Sequence, residues 1–182
     1  MGLRHFIRVL DLKKEEVEGL IDRAMEFKRT HNFRGLLSGK ILALIFEKAS
    51  TRTRVSFESA MLRMGGHTLF LSGRDLQLAR GEPIKDTARV LSRYVDVVVL
   101  RTYSHSTITE FAVYSSVPVI NGLSDRFHPC QALSDLMTVL ERGKDPFKEK
   151  VVWIGDGNNV AQSWIEVSAL LGFPLVICCP PG

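Results

Sequence analysis

The sequence predicts a three-layer α/β fold, a parallel sheet between helices, followed by an incomplete second, Rossmann-like α/β domain. Three observations carry this expectation. Short apolar runs of strand length alternate with helix-like segments along the whole chain of 182 residues. The run KILALIF (40–46) is apolar almost throughout, as in a strand covered on both faces. Helix-length stretches, not tight turns, separate the strands, which is the spacing of right-handed βαβ crossovers.

The elements follow in order. Segment 11–30 places Val17, Leu20, Ile21, Ala24 and Phe27 at helical spacing, with Asp11 as the expected N-cap. After the strand at 40–46, residues 51–64 read as a helix packing through Val55, Ala60, Met61 and Met64. HTLFLS (67–72) is the second strand, and 83–95 is a helix with Pro83 in its first turn. DVVVLRT (96–102) is a third strand, rich in β-branched residues. A helix at 106–115, a strand at 117–122 and a helix at 129–142 stopped by Gly143 complete the first domain. The polar loop GKDPFKEK (143–150) is the expected boundary, giving domains 1–147 and 148–182. Beyond it lie a strand (151–155), a helix and the strand PLVICC, one βαβ unit with too few layers to bury its own sheet.

Composition narrows the class. The hydrophobic share is 45% and the charged share 24%, ordinary for a globular chain. No apolar segment reaches the roughly 18 residues of a membrane helix. The opening stretch MGLRHFIRVLDL shows neither a long apolar region nor an Arg/Ser-rich, acid-poor leader, so no targeting peptide is expected. Cys130, Cys178 and Cys179 show no metal-ligand spacing and suit a reducing, cytoplasmic setting. A net charge of +4 suits anionic ligands, but the basic residues are scattered, which argues against nucleic acid.

Four stretches carry chemistry. In FEKASTRTRVSFESA (46–60), Ser50, Thr51, Arg52, Thr53 and Arg54 sit where a strand gives way to a helix. Ligands of open α/β sheets bind at such strand ends, and a helix start offers free N–H groups and a positive dipole end to an anion. An Arg fork adds bidentate recognition of phosphate. Arg52 is the expected phosphate ligand and Arg54 a structural residue; the plainer alternative is a Ser/Thr cap with two solvent-facing arginines. Second, the strand VVVLRT ends on Arg101 and Thr102, where a buried guanidinium needs an anion or carbonyl oxygen to meet it. Third, HPCQ places His128 and Gln131 at a helix start marked by Pro129. Fourth, GDGNNV (155–160) has Gly-x-Gly, but Val160 replaces the third glycine of the dinucleotide fingerprint.

These stretches together resemble the transcarbamoylases: FEKASTRTRVSFE, RGEPIKDTARVLSRY, VVLRT, HPCQALSD and WIGDGNNVAQSW occur in that family's order and spacing. Arg80 before GE, where aspartate carbamoyltransferases usually carry a Lys, and Asn159 in DGNNV resemble the ornithine branch. The resemblance implies a carbamoyl-phosphate-binding domain (1–147) and the start of an ornithine-binding domain (148–182). It implies that carbamoyl phosphate is held by Ser50, Thr51, Arg52, Thr53, Arg101, His128 and Gln131, with Gln77 reaching in from a neighbouring subunit. Arg101, His128 and Gln131 would be catalytic, and Asn159 would contact ornithine. It further implies no metal or organic cofactor, and a homotrimer or higher homo-oligomer with sites between subunits. Further amino-acid contacts of the ornithine enzymes (Asp-x-x-x-Ser-Met-Gly, His-Cys-Leu-Pro and a late Arg) would lie past Gly182. Aspartate, putrescine or an acylated ornithine are the alternative acceptors. A dinucleotide oxidoreductase and a non-catalytic anion-binding module are the alternative classes.

Overall fold

The computed structural model describes residues 2–73 and 81–181. A 3₁₀ turn, Val9–Asp11, precedes α1 (Lys14–Thr30). Then follow β1 (Ile41–Phe46), α2 (Thr51–Arg63), β2 (His67–Ser72), α3 (Ile84–Leu91), β3 (Val97–Arg101) and α4 (His105–Tyr114). The chain continues through β4 (Val119–Leu123), α5 (Pro129–Glu141), β5 (Val151–Ile154), α6 (Asn159–Leu171) and β6 (Leu175–Cys178).

Four strands form a parallel sheet in the order β2-β1-β3-β4, and β5 pairs in parallel with β6 in a second sheet. Strand β1 shows no alternation because both its faces are covered. Leu42, Leu44 and Phe46 pack with Val99 and Met61 on the face that carries α2. Ala43 and Ile45 pack with Val98, Leu100, Ala88, Ile108 and Phe111 on the face that carries α3 and α4. Phe46 is level with both Ser72 and Arg101, so β1, β2 and β3 end together. From β1 the chain crosses outward to β2, whereas from β3 it crosses the other way to β4. The ends of β1 and β3 therefore flank the point where the winding reverses, the position at which such sheets bind ligands.

The structure corrects several local expectations. Asp11 does not cap α1. It closes the 3₁₀ turn, its carboxylate accepting from the Ile7 and Arg8 N–H groups, while Glu16 reaches back to the N–H of Lys13, which precedes α1. In α1, Leu20 faces solvent beside the buried Val17 and Ile21. In α2, Val55 and Ala60 are also exposed; Met61 is buried as expected, and Phe57 packs beside it in place of those two. The N-terminal segment, unassigned in the sequence, docks beside β4: Phe6 N–H donates to Val119 O and Asn121 N–H to Phe6 O, both at 2.8 Å.

Helix α6 does not stand apart from the first sheet's layers. Its Trp164, Val167 and Leu171 share one buried cluster with Val9, Val17 and Ile21 of the N-terminal region and Ala132 and Leu136 of α5. On β5 and β6, by contrast, Val152, Ile154, Val176 and Ile177 are exposed. Among the described residues no helix is long and apolar enough to cross a membrane.

Candidate functional site

A cleft of about 310 Å³ opens at the reversal point, lined by Ser50, Arg52, Thr53, Arg101, His128 and Gln131 together with Ser56, Phe57, Leu123, Cys130 and Ser134. The β1–α2 junction forms one wall. Ser50 lies just before α2, and its Oγ accepts from Thr53 N–H at 3.3 Å and donates to Thr53 Oγ1 at 3.0 Å. The hydroxyl is thus spent on holding the first turn. The N–H groups of Thr51 and Arg52, first in the helix, have no acceptor within it and are available to an anion. Thr51 is exposed at the helix start and does not line the cleft.

Arg52 and Arg54 divide as helix geometry demands. Arg54 pairs with Glu58 at 3.0 Å one turn on, and its guanidinium lies 3.6 Å from the Phe70 ring centroid. Arg52 lines the cleft and has no ion-pair partner among the described residues.

Arg101, the last residue of β3, is only 9% exposed. Its guanidinium donates to Thr53 Oγ1 at 3.4 Å, and its buried Nε has no hydrogen-bond partner among the described residues. Burial, and after it the charge of Arg52, disfavours the charged form of Arg101. Two guanidiniums thus share one concave site, and among the described residues no carboxylate lines it.

His128 precedes α5, where Pro129 fixes the first helical φ. Burial, and secondarily the Arg101 charge, pushes its imidazole down to about 4, so the ring is neutral near pH 7. Its buried Nδ1 has no hydrogen-bond partner among the described residues. Gln131 lies one turn into α5, its amide N–H donating to Asp135 at 2.8 Å. Beside it, burial pushes the Cys130 thiol up to about 12, which keeps it protonated and inert, 3.6 Å from Asn121 O.

The remaining expected residues fall elsewhere. Asn159 opens α6 outside the cleft lining, its amide donating to Ser124 O at 2.6 Å. Gln77 and Arg80 lie outside the described residues. Sequence reading missed Ser56, Phe57 and Ser134, although three- and four-residue spacing from Thr53 and Gln131 puts them on the same helix faces. Leu123 and Cys130 carried no such signal. Among the described residues no cluster of three or more His, Cys, Asp or Glu side chains could hold a metal ion.

Residues 4–141 match the family described as aspartate/ornithine carbamoyltransferase, carbamoyl-P binding domain. The chain is 56% identical over 182 residues to an ornithine carbamoyltransferase of Desulfotalea psychrophila, covering 98% of this chain and 60% of that protein. Among solved structures it superposes on the ornithine carbamoyltransferase of Pyrococcus furiosus with a TM-score of 0.92 at 48% identity, covering 98% of this chain and 58% of that one. The anabolic ornithine carbamoyltransferase of Campylobacter jejuni gives 0.91 at 48% identity, over 98% of this chain and 59% of that one. The chain thus spans about three fifths of the length of the relatives it matches.

Proposed function

Because the chain belongs to the aspartate/ornithine carbamoyltransferase family, we propose that it forms the carbamoyl-phosphate half of an enzyme carbamoylating the δ-amine of L-ornithine. The products are citrulline and phosphate. One observation carries the reading most: Arg52 and Arg101 face a single cleft with no counter-ion among the described residues, beside a neutral His128.

In this reading the phosphate lies over the start of α2, held by the Arg52 fork, the Thr53 hydroxyl and the free N–H groups of Thr51 and Arg52. Ser50 contributes by fixing that turn. Gln77 completes the site from a neighbouring subunit. The carbamoyl oxygen points to Arg101 and His128. The neutral imidazole still donates one N–H and does not add a third positive charge to the cleft. Gln131 meets the carbamoyl nitrogen. The ornithine amine attacks the carbonyl carbon, a C–N bond forms, and negative charge builds on the oxygen that Arg101 and His128 already face. The bond from the carbonyl carbon to the bridging oxygen then breaks, phosphate leaves with that oxygen and the electron pair, and the attacking nitrogen loses a proton. Loss of one such oxyanion donor typically costs about 10²–10³ in rate.

Asn159 contacts ornithine in this reading. The complete enzyme is a cytoplasmic homotrimer or larger assembly with sites at subunit interfaces, and it works in the biosynthetic direction, as the name of the C. jejuni relative states for that protein. Residues 1–147 are the carbamoyl-phosphate domain and 148–182 the start of the ornithine domain. The test is calorimetric titration of carbamoyl phosphate into this chain and its Arg52→Ala variant, then assay of the full-length enzyme with ornithine and with aspartate. Binding abolished by Arg52→Ala and turnover with ornithine are expected. Unchanged affinity in the variant removes the phosphate role, and turnover with aspartate alone reassigns the acceptor.

A further inference from the structure

One face of α6 is devoted to the segment that presents His128. Asn159, Ser163 and Glu166 stand at the first, fifth and eighth positions of the helix, one above another on its surface. Ser163 and Glu166 are both buried, unusual for these residue types unless each polar atom has work to do. Ser163 Oγ accepts from His128 N–H at 2.8 Å and donates to Asn159 O at 2.9 Å. Asn159 ties down Ser124 O, four residues before His128. Glu166 accepts from Val9 N–H at 2.8 Å and pairs with Arg8, whose guanidinium lies 5.0 Å from the centroid of the Phe127 ring. All three grips converge on the 124–128 segment or on the strap beside it.

Among the described residues nothing hydrogen-bonds the buried Nδ1 of the His128 ring, so none of them fixes its direction through that atom. Its aim depends on the backbone at the start of α5, and the backbone N–H of His128 points out of that helix to Ser163. The geometry points to Ser163 as a positioning residue: through the His128 N–H it sets the angle at which the imidazole meets the reacting oxygen. This rests on the oxyanion role proposed for His128. It makes α6, which does not line the cleft, part of the machinery of carbamoyl transfer.

The experiment is a double-mutant cycle in the full-length enzyme with Ser163→Ala, His128→Ala and both together, reading kcat and KM for carbamoyl phosphate. Displacement of a catalytic group by about 1 Å can cost on the order of 100-fold. Ser163→Ala should therefore lower kcat roughly 10- to 100-fold, with KM changed far less, and should cost nothing further once His128 is absent. An equal loss in both backgrounds, or wild-type kcat in Ser163→Ala, overturns the positioning role. His128→Ala with wild-type turnover overturns the oxyanion role itself, and the positioning role with it. Should Ser163→Ala fail to fold, Ser163→Cys keeps the volume and weakens the acceptor. It should give a smaller kcat loss that again vanishes without His128, and its persistence there overturns the proposal.

Discussion

Acid should destabilise this chain through His128, because burial opposes protonation of its imidazole. A histidine in the unfolded chain takes up its proton near pH 6.5, whereas His128 in the folded chain does so only near 4. Between those values the unfolded state holds one more proton at this position. Stability must then fall as pH drops through the window and level off below it. The gap corresponds to about 3 kcal/mol when fully developed, a large part of the net stability of a domain this size. Urea unfolding of the wild-type chain and of His128→Asn, at intervals from pH 7.5 to 4, isolates the effect, since every other titrating group is common to both. The wild type should lose about 3 kcal/mol relative to the variant between pH 7 and pH 4, and nothing above pH 7. Curves that stay parallel within about 1 kcal/mol would refute the assignment, as would a His128 ring proton resonance that titrates near 6.5. The cause can be tested in the same way. Burial outweighs the Arg101 charge, so Arg101→Met should raise the His128 titration without returning it to 6.5. A full return would make the guanidinium, not burial, the governing influence.

Two further outcomes follow from the packing. Glu166→Leu leaves the buried Val9 N–H without its acceptor and Arg8 without its partner; it should cost about 2–3 kcal/mol in urea unfolding, and Glu166→Gln, which keeps an acceptor oxygen, clearly less. Gly122→Ala would put a methyl 2.9 Å from Val99 Cγ1 and 3.2 Å from Leu100 O, wedging the edge strand β4 off the central strand β3; a loss of about 1–3 kcal/mol is expected, and an unchanged midpoint would show that β3 and β4 yield there.

The parts of this fold legible in the sequence are those with a local cause. Strands β1 and β3 announce themselves because burial on both faces demands uninterrupted apolar residues. The cleft was legible for a related reason, since a run of hydroxyls and guanidiniums directly after such a strand falls on the ligand-binding edge of the sheet. Other features have no local cause. The Phe6 bridge to β4 is too short to create a periodicity. Asp11 looked like a cap because an acid stands before a helical pattern, but a 3₁₀ turn claims its carboxylate first. Val55 and Ala60 fit helical spacing as well as Phe57 and Met61 do, and only the position of the sheet decides which face is buried. The bond from His128 to Ser163 spans 35 residues and that from Val9 to Glu166 spans 157, so nothing near either residue signals it.

On the proposed function, the cleft's affinity for an anion and its cost to the fold have the same origin. Arg101 is buried with one nitrogen unpaired among the described residues, and both its burial and the nearby Arg52 disfavour its charge. An arrangement chosen for stability alone would place a carboxylate there or replace the pair with apolar residues. Here the strain is tolerated because the surrounding sheet, with both faces of β1 and β3 packed, holds the cations in place. A dianion entering the cleft would supply the missing counter-charge to both guanidiniums at once. Its binding would therefore stabilise the fold in proportion to its occupancy, raising the unfolding midpoint as ligand is added. Phosphate affinity and ligand-dependent stability should thus fall together in Arg52→Ala, because both arise from the same uncompensated charge.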